Sequence, residues 1–257
     1  MSPRHAVVTG GGTGIGSAVA IELAAAGIKV SVMGRRIEPL QKIAATINAG
    51  SEHIQCQAIV CDVTDEEAVV RAFTQASEHF AGVDILVNSA GMAPTAPFHK
   101  ISLQDWRAVT AVNLDSVFLC TQQVLQGMQT QAWGRVINIA SSAAQKGYAY
   151  VSAYCAAKHG VLGLTRALAL ENATKGVTIN AICPGYTDTD IISESVANIM
   201  QKTGRSKEEA LLTFTSTNPQ GRLVLPAEVA ASVLWLCANS SAAITGQAIS
   251  VSGGEVM

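Results

Sequence analysis

The residues best suited to proton transfer are Tyr154 and Lys158, which lie four positions apart in a stretch with helical patterning. Apolar residues there recur at helical spacing, so the two side chains fall on one face about one turn apart. A free tyrosine has a pKa of about 10, too high for efficient proton transfer near neutrality. Because a neighbouring ammonium favours the phenolate, we expect Lys158 to lower the pKa of Tyr154. Such a pair can act as general acid for ketone reduction or as general base for alcohol oxidation.

Two other polar residues could complete this chemistry. Ser141 follows an apolar run typical of a strand, and its hydroxyl could hold a substrate oxygen beside the phenol. Asn113 is polar among apolar neighbours in a long helical pattern, where it could also be a helix-bend residue that bonds its own backbone. Taken singly, Tyr154 could equally be a buried core tyrosine, and Lys158 a solvated lysine.

Residues of the same types nearby compete for these roles. Tyr148 and Tyr150 precede Lys158 by ten and eight residues, and we expect them in the loop before the helix. Neither would then share the helical face of Lys158 at one-turn spacing. Ser142 and Ser152 are the corresponding alternatives to the serine.

A glycine turn near the start of the chain predicts an anion site. An apolar strand pattern leads into Thr9-Gly10-Gly11-Gly12-Thr13-Gly14-Ile15-Gly16, and a helical pattern follows. A strand, a glycine turn and a helix leave backbone N–H groups free at the start of the helix, and a dinucleotide pyrophosphate fits there. The spacing differs from G-x-G-x-x-G, and a glycine turn without a ligand is the alternative.

The ends of the next two predicted strands indicate which cofactor would bind. The second strand ends in Gly34-Arg35-Arg36, where an NAD site usually has an acid for the ribose hydroxyls. An arginine can pair with a 2′-phosphate, so NADP(H) is favoured and NAD(H) is possible; a solvated loop is the alternative. Asp62 ends the third strand and could accept from an adenine amino group. A helix cap fits Asp62 less well, because Asp65 stands nearer the helix start.

Strand and helix patterns alternate along the whole chain, which is typical of a parallel sheet. We therefore predict an α/β fold: one doubly wound domain over residues 1–257, with seven parallel strands and helices on both faces. The segment 186–221 interrupts the alternation, and we expect it to overhang the ligand crevice as a lid. The predicted strands are 6–9, 29–33, 54–60, 84–88, 135–140, 178–182 and 248–251. The predicted helices are 14–26, 37–48, 65–80, 102–129, 152–174 and 226–239.

Composition excludes several classes of function. Of the 257 residues, 49% are hydrophobic and 14% charged, and the net charge of −2 gives no basic face for nucleic acid. The six cysteines show no C-x-x-C pair and no clustering with histidines, so we expect buried reduced thiols rather than a metal site. No apolar run reaches the roughly 18 residues of a membrane span, and no signal-peptide pattern precedes the first strand. These features predict a cytoplasmic protein.

Six motifs occur together, in order, over the whole chain: Thr9-Gly10-x-x-x-Gly14-x-Gly16, Asn88-Ser89-Ala90-Gly91, Asn113, Ser141, Tyr154-x-x-x-Lys158 and Pro184-Gly185. In this combination the chain resembles the short-chain dehydrogenase/reductase family. The resemblance implies a seven-stranded Rossmann domain, usually a homotetramer, with nicotinamide bound near the Tyr–Lys pair. Ser89 departs from the family pattern, which usually has a second Asn there, at a mainly structural position.

The resemblance also implies roles for single residues. Tyr154 would be the acid/base, Lys158 would tune it and hold the nicotinamide ribose, Ser141 would orient the substrate, and Asn113 would hold a water in the proton relay. Together with the glycine turn and the arginines, it predicts a set of cofactor contacts beside Tyr154 and Lys158. The set is Gly10, Gly12, Thr13, Gly14, Ile15, Gly16, Arg35, Arg36, Asp62, Val63, Asn88, Ala90, Gly91, Pro184, Gly185, Thr187 and Thr189.

The substrate is less clearly indicated. The chain is similar to family members that reduce 3-oxoacyl thioesters or oxidise 3-hydroxyacyl ones. Members that bind carrier protein often have basic residues before the fifth strand and on the catalytic helix. This chain has Ala132, Trp133 and Leu170 there, and only Lys175 is left, so a coenzyme A (CoA) thioester is favoured over a carrier protein. Free ketones, sugars, steroids and other small carbonyl compounds remain alternatives.

The 186–221 segment carries three basic residues, Lys202, Arg205 and Lys207, in a polar turn before a helix that Ser206 would cap. They could pair with the phosphates of CoA, or simply keep a mobile lid soluble. A different class of function is a nucleotide-binding protein without catalysis. Such relatives typically lose the Tyr or the Lys, and this chain has both.

Overall fold

Seven parallel strands form the centre of the protein, in the order β3-β2-β1-β4-β5-β6-β7. The structure is a computed structural model that describes residues 4–49, 51 and 53–257. The strands lie within two residues of the predicted bounds, which confirms the predicted fold class. They are β1 (His5–Thr9), β2 (Lys29–Gly34), β3 (Cys56–Val60), β4 (Ile85–Asn88), β5 (Gly134–Ile139), β6 (Val177–Pro184) and β7 (Ala248–Val251).

Helices cover both faces of the sheet and explain why its central strands are apolar throughout. One face packs on α1, α2 and α9, and the opposite face packs on α3, α5 and α6. The helices are α1 (Gly14–Ala25), α2 (Ile37–Asn48), α3 (Glu66–Phe80), α4 (Leu103–Thr110), α5 (Ser116–Thr130), α6 (Ser152–Asn172), α7 (Asp190–Thr203), α8 (Lys207–Thr215) and α9 (Pro226–Cys237).

The strand order places a switch point between β1 and β4. The chain winds outward from β1 through β2 to β3, and then returns to pair β4 against the other side of β1. Helices therefore leave the strands in opposite directions on the two sides of this point, which opens a crevice at the carboxyl ends. Thr9, Asn88 and Asn138 lie side by side in register at that edge.

The predicted helix 102–129 is broken in the structure. A π-helical turn, Ala111–Asp115, separates α4 from α5 and has Asn113 at its centre. The Asn113 side chain donates to the carbonyl of Val109, so the expectation of a residue that bonds its own backbone is confirmed. It also bonds the backbone of Met92, and these side-chain bonds lie where the regular helix is interrupted.

The 186–221 segment contains two helices, α7 and α8, which share a small core of their own. Gly204 ends α7 in the left-handed region with a φ of 70°. Ser206 caps α8, and Glu209 completes the capping box, which confirms the predicted cap. Thr187 pairs in parallel with Val224, which joins the start of the segment to the residues just after its end.

All six cysteines are buried and none is in a disulfide. Burial raises the pKa of Cys56 and Cys237 to about 12, so these thiols stay protonated and unreactive near neutrality. Within the described ranges, no helix is both long and apolar enough to cross a membrane.

Candidate active site

A cavity of about 380 Å³ opens at the carboxyl ends of the strands, beside the switch point. It brings together most of the residues that the sequence singled out, including all four candidates for catalysis. The predicted residues that line it are Gly10, Thr13, Gly14, Ile15, Gly16, Ala90, Gly91, Asn113, Ser141, Tyr154, Lys158, Pro184, Gly185, Thr187 and Thr189.

Tyr154 and Lys158 project from the first half of α6 into this cavity. The Lys158 ammonium is only 4% exposed and donates to the carbonyl of Ile139 at the end of β5, at 2.8 Å. Its Nζ lies 5.7 Å from the centre of the Tyr154 ring. Ser141, two residues beyond the end of β5, lines the same cavity and lies close enough to the Tyr154 phenol to influence its pKa. The strand end therefore fixes both the lysine and the serine beside the phenol.

The pKa of Tyr154 moves opposite to our expectation. Burial raises this pKa, and the hydrogen bond from Ser141 opposes the rise without reversing it. Burial also lowers the pKa of Lys158 to about 8. The prediction that the ammonium lowers the pKa of the phenol is therefore wrong for this arrangement, because desolvation dominates. Near neutrality Tyr154 is protonated, which is the form that a general acid needs.

Asn113 reaches the cavity from the π-helical turn. Both of its amide hydrogens are used, one by the carbonyl of Met92 at 2.8 Å and one by that of Val109 at 2.9 Å. Its Oδ1 accepts from the Met92 N–H at 3.3 Å and keeps one lone pair. A Cβ added to Gly91 would lie 2.9 Å from this Oδ1 and 3.8 Å from Nζ of Lys158, so Asn113 and Lys158 converge on one glycine.

The glycine turn has the geometry of an anion cradle. A Cβ on Gly16 would collide with the carbonyl oxygen of Gly10, so only glycine lets the helix start this close to the strand end. Thr13 precedes α1 without capping it through its side chain. The N–H groups of the first turn of a helix have no partner inside the helix, and here they border the cavity. These residues fit the pyrophosphate of a dinucleotide.

Six of the predicted cofactor contacts do not line the cavity. Gly12 packs against the start of α2, where a Cβ would lie 3.0 Å from Cβ of Pro39. Val63 belongs to the apolar core under α3. The other four are Arg35, Arg36, Asp62 and Asn88.

Arg35 and Asp62 lie together beyond β2 and β3, on the same edge of the sheet as the cavity. Asp62 accepts from the backbone and the hydroxyl of Thr64, and Asp65 caps α3, as the sequence indicated. Burial alone would raise the pKa of Asp62, but these hydrogen bonds and the Arg35 guanidinium lower it overall. The two arginines are exposed. An arginine and a carboxylate therefore stand where the adenosine end of a cofactor would extend from the glycine turn.

The structure also brings in residues that sequence reasoning missed. Tyr148 and Tyr150 do lie in the loop before α6, as expected, yet Tyr148 and Ser142 line the cavity. Met92, Ile192 and Phe214 add apolar side chains to the cavity wall. Helical spacing could not indicate them, since they come from loops and from the 186–221 segment.

The fold and the site together define an oxidoreductase built on a nucleotide-binding parallel sheet. A family model described as short chain dehydrogenase matches residues 4–199. The chain is 36% identical over 255 residues to an acetoacetyl-CoA reductase from Shinella zoogloeoides, covering 98% of each chain. It is 37% identical over 251 residues to a 3-oxoacyl-(acyl-carrier-protein) reductase from Aquifex aeolicus, covering 98% of this chain and 96% of the relative.

Solved structures agree with this relationship. An actinorhodin polyketide ketoreductase variant crystallised with NADPH superimposes with a TM-score of 0.93 at 35% identity, covering 98% of this chain and 97% of that one. The protein belongs to the short-chain dehydrogenase family.

Replacing Tyr154 with Phe removes the proton donor and leaves the cavity in place. We expect kcat to fall by roughly 10²–10⁴-fold, the usual contribution of general acid catalysis, while Kd for the nicotinamide cofactor changes little. Turnover of a ketone and fluorescence titration with NADPH measure the two quantities. Tyr150→Phe, in the exposed loop, is the matched control and should keep its activity. More than a tenth of wild-type turnover in the Tyr154 variant would mean that another group is the acid.

Proposed function

We propose that the protein is an NADP(H)-dependent reductase of 3-oxoacyl thioesters, with CoA thioesters favoured over carrier-protein ones. The observation that carries this proposal is the placement of Tyr154, Ser141 and Lys158 in one cavity next to the glycine turn. A protonated acid beside the substrate suits reduction of a ketone. The relatives named for acetoacetyl-CoA and 3-oxoacyl reduction support the substrate class.

The residues of the chain divide the work of ketone reduction. A bound nicotinamide supplies the hydride. Ser141 and Tyr154 would hold the ketone oxygen through hydrogen bonds, and Tyr154 would give it a proton as the alcohol forms. Lys158, fixed on the carbonyl of Ile139, would hold the nicotinamide ribose. Asn113 retains one lone pair on Oδ1, which suits the water of a proton relay.

The arginines after β2 support NADP(H) as the cofactor. Gly34 provides no acid that would repel a 2′-phosphate, and the exposed Arg35 lies beside Asp62, close to the expected adenosine position. Arginine presents a planar fork that matches phosphate oxygens. The NADPH in the polyketide ketoreductase structure agrees with this choice.

The double change Gly34→Asp and Arg35→Ser should reverse the cofactor preference. A Cβ at position 34 would meet only Leu40, at 3.6 Å, so the new carboxylate fits without strain. We expect the wild type to favour NADPH over NADH in kcat/KM by roughly ten- to a hundredfold, the usual worth of one charge-assisted hydrogen bond. Lys42→Ser, at an exposed position on α2, is the control for a general loss of positive charge. Equal efficiency with both cofactors in the wild type would refute the assignment.

The basic turn of the 186–221 segment favours a CoA thioester. Ser195 on α7 and Phe214 on α8 line the cavity, whereas the turn between the helices lies about 10 Å further out on each, at 1.5 Å per residue. Lys202, Arg205 and Lys207 there are exposed. The phosphates of CoA sit at the far end of a long arm, so a substrate with its thioester in the cavity could reach this turn.

Neutralising Lys202, Arg205 and Lys207 to Gln should raise KM for acetoacetyl-CoA. We expect a rise of roughly three- to tenfold at low salt, since exposed charge pairs are individually weak. The wild-type KM should itself rise with ionic strength, because salt screens such pairs. The control is a truncated thioester without phosphates, whose KM should not change. Equal effects on both thioesters would show that the triple variant only disturbs the segment.

The same assays also test two other functions. If no CoA thioester is reduced, a free ketone such as a steroid, or a carrier-protein thioester, becomes the substrate. If NADPH binds and nothing is reduced, the protein is a nucleotide-binding module without catalysis. The complete set Tyr154, Lys158 and Ser141 in one cavity argues against the second outcome.

We also propose a cytoplasmic homotetramer. Buried, unreactive thiols suit a reducing compartment. Large apolar side chains lie exposed on the helices after β4 and β5: Leu103 at 62%, Phe118 at 51% and Leu170 at 82%. Exposed apolar groups of this kind often mark an interface.

Light scattering at micromolar concentration should therefore report a mass four times that of the chain. Phe118→Asp should lower the mass by placing a charge in the interface, whereas Thr74→Asp, on the exposed side of α3, should not. A monomeric wild type would refute the proposal.

A further inference from the structure

The C-terminal tail places a carboxylate directly behind the substrate cavity. The Glu255 side chain is 1% exposed, and its Oε1 accepts from the Tyr148 hydroxyl at 2.7 Å. Lys146 pairs with the same oxygen at 3.1 Å. Within the described part of the chain, Oε2 has no hydrogen-bond partner. A buried carboxylate that is only half satisfied is costly, which suggests that it is kept for a purpose.

The backbone around the tail is shaped to hold Glu255 there. Gly253 has a φ of 61°, and a Cβ on it would collide with Asn218 at the end of the 186–221 segment. A Cβ on Gly185 would lie 3.1 Å from Oε2 of Glu255. Glycine at 253 therefore lets the tail pass close to the segment, and glycine at 185 leaves room beside the carboxylate.

The bond from Tyr148 to Glu255 decides which way the neighbouring protons point. A phenol has one hydrogen, and Tyr148 donates it to Oε1 of Glu255. Ser142 lies 2.8 Å from the Tyr148 oxygen and must therefore be the donor of that bond. Burial, together with the bond to Glu255, raises the pKa of Tyr148, so the phenol keeps its proton.

Tyr148 and Ser142 both border the cavity beside Ser141, which Ser142 directly follows. With their hydrogens committed, they offer the cavity only lone pairs. We call this pair of hydroxyl groups the acceptor wall.

We propose that Glu255 is a specificity-determining positioning residue, which acts through Tyr148 to make this wall accept hydrogen bonds from the substrate. The ligand class it selects is a ketone that carries a hydrogen-bond donor, a hydroxyl or an amide N–H, beyond its reacting carbonyl. The inference rests on the proposed ketone reduction but not on CoA as the carrier.

A matched pair of substrates tests the preference. The N-acetylcysteamine thioester of 3-oxobutanoate has an amide N–H, and its analogue with an ester oxygen in place of that N–H has none. We expect the wild type to favour the amide by about three- to tenfold in kcat/KM, the worth of one hydrogen bond. A second pair, 4-hydroxy-2-butanone and 4-methoxy-2-butanone, asks the same question of free ketones. No donor preference in either pair overturns the inference.

A double-mutant cycle tests the route through Tyr148. Glu255→Met removes the acceptor and should abolish the preference, whereas Glu255→Gln keeps a carbonyl oxygen and should restore it. In a Tyr148→Phe background, the change Glu255→Met should have no further effect on the ratio. A preference that survives Tyr148→Phe, or a Glu255 effect that persists in that background, overturns the inference.

Failure of this inference can be told apart from misfolding of a variant and from failure of the proposed function. If the Met variant does not fold, as judged by NADPH binding, Tyr148→Phe alone decides, because it leaves the carboxylate in place. If neither thioester is reduced, the thioester proposal fails, and the free-ketone pair still decides the role of Glu255.

Discussion

The position of α6, which carries Tyr154 and Lys158, depends on a chain of buried side-chain hydrogen bonds that crosses the sheet. Asn88 on β4 donates to Asn138 on β5 at 2.9 Å, and Asn138 donates to Thr165 on α6 at 2.9 Å. Thr165 in turn donates to its own helix at Val161. Leaving a buried polar group unpaired costs about 1–3 kcal/mol, so the chain holds α6 at one height along β5. That height lets Lys158 reach the carbonyl of Ile139 and places Tyr154 beside Ser141.

Much of this arrangement could be predicted because it is local in sequence or repeated along the chain. The Tyr154–Lys158 spacing is a property of any helix, and the alternation of strand and helix patterns indicates a parallel sheet by itself. A parallel sheet then brings all its carboxyl ends to one edge. Residues directly after strands, such as Ser141 and Gly10, meet there without further information. The cap at Ser206 follows from four consecutive residues.

What could not be predicted depends on contacts between distant segments. The break at Asn113 needs the backbone of Met92, 21 residues away. The pKa of Tyr154 depends on how completely the fold buries the phenol, whereas the sequence shows only the nearby ammonium. Tyr148 was set aside because it lies outside the helix, yet its partner Glu255 is 107 residues further on. Helical periodicity describes one element at a time, so it cannot indicate such pairs.

The two ends of the cavity offer opposite kinds of hydrogen-bonding group. They are separated by the short stretch of chain that holds the adjacent residues Ser141 and Ser142. Ser141 and Tyr154 would face the reacting carbonyl with a protonated acid, whereas Ser142 and Tyr148 would face the rest of the substrate with lone pairs. This difference between adjacent serines arises because Ser141 lies beside Tyr154, while the hydroxyl of Ser142 is engaged by Tyr148, whose own proton goes to Glu255. A substrate that satisfies both ends is held in one direction, so its ketone, and not another carbonyl along the chain, meets the acid. Orientation of this kind requires no charged group on the substrate.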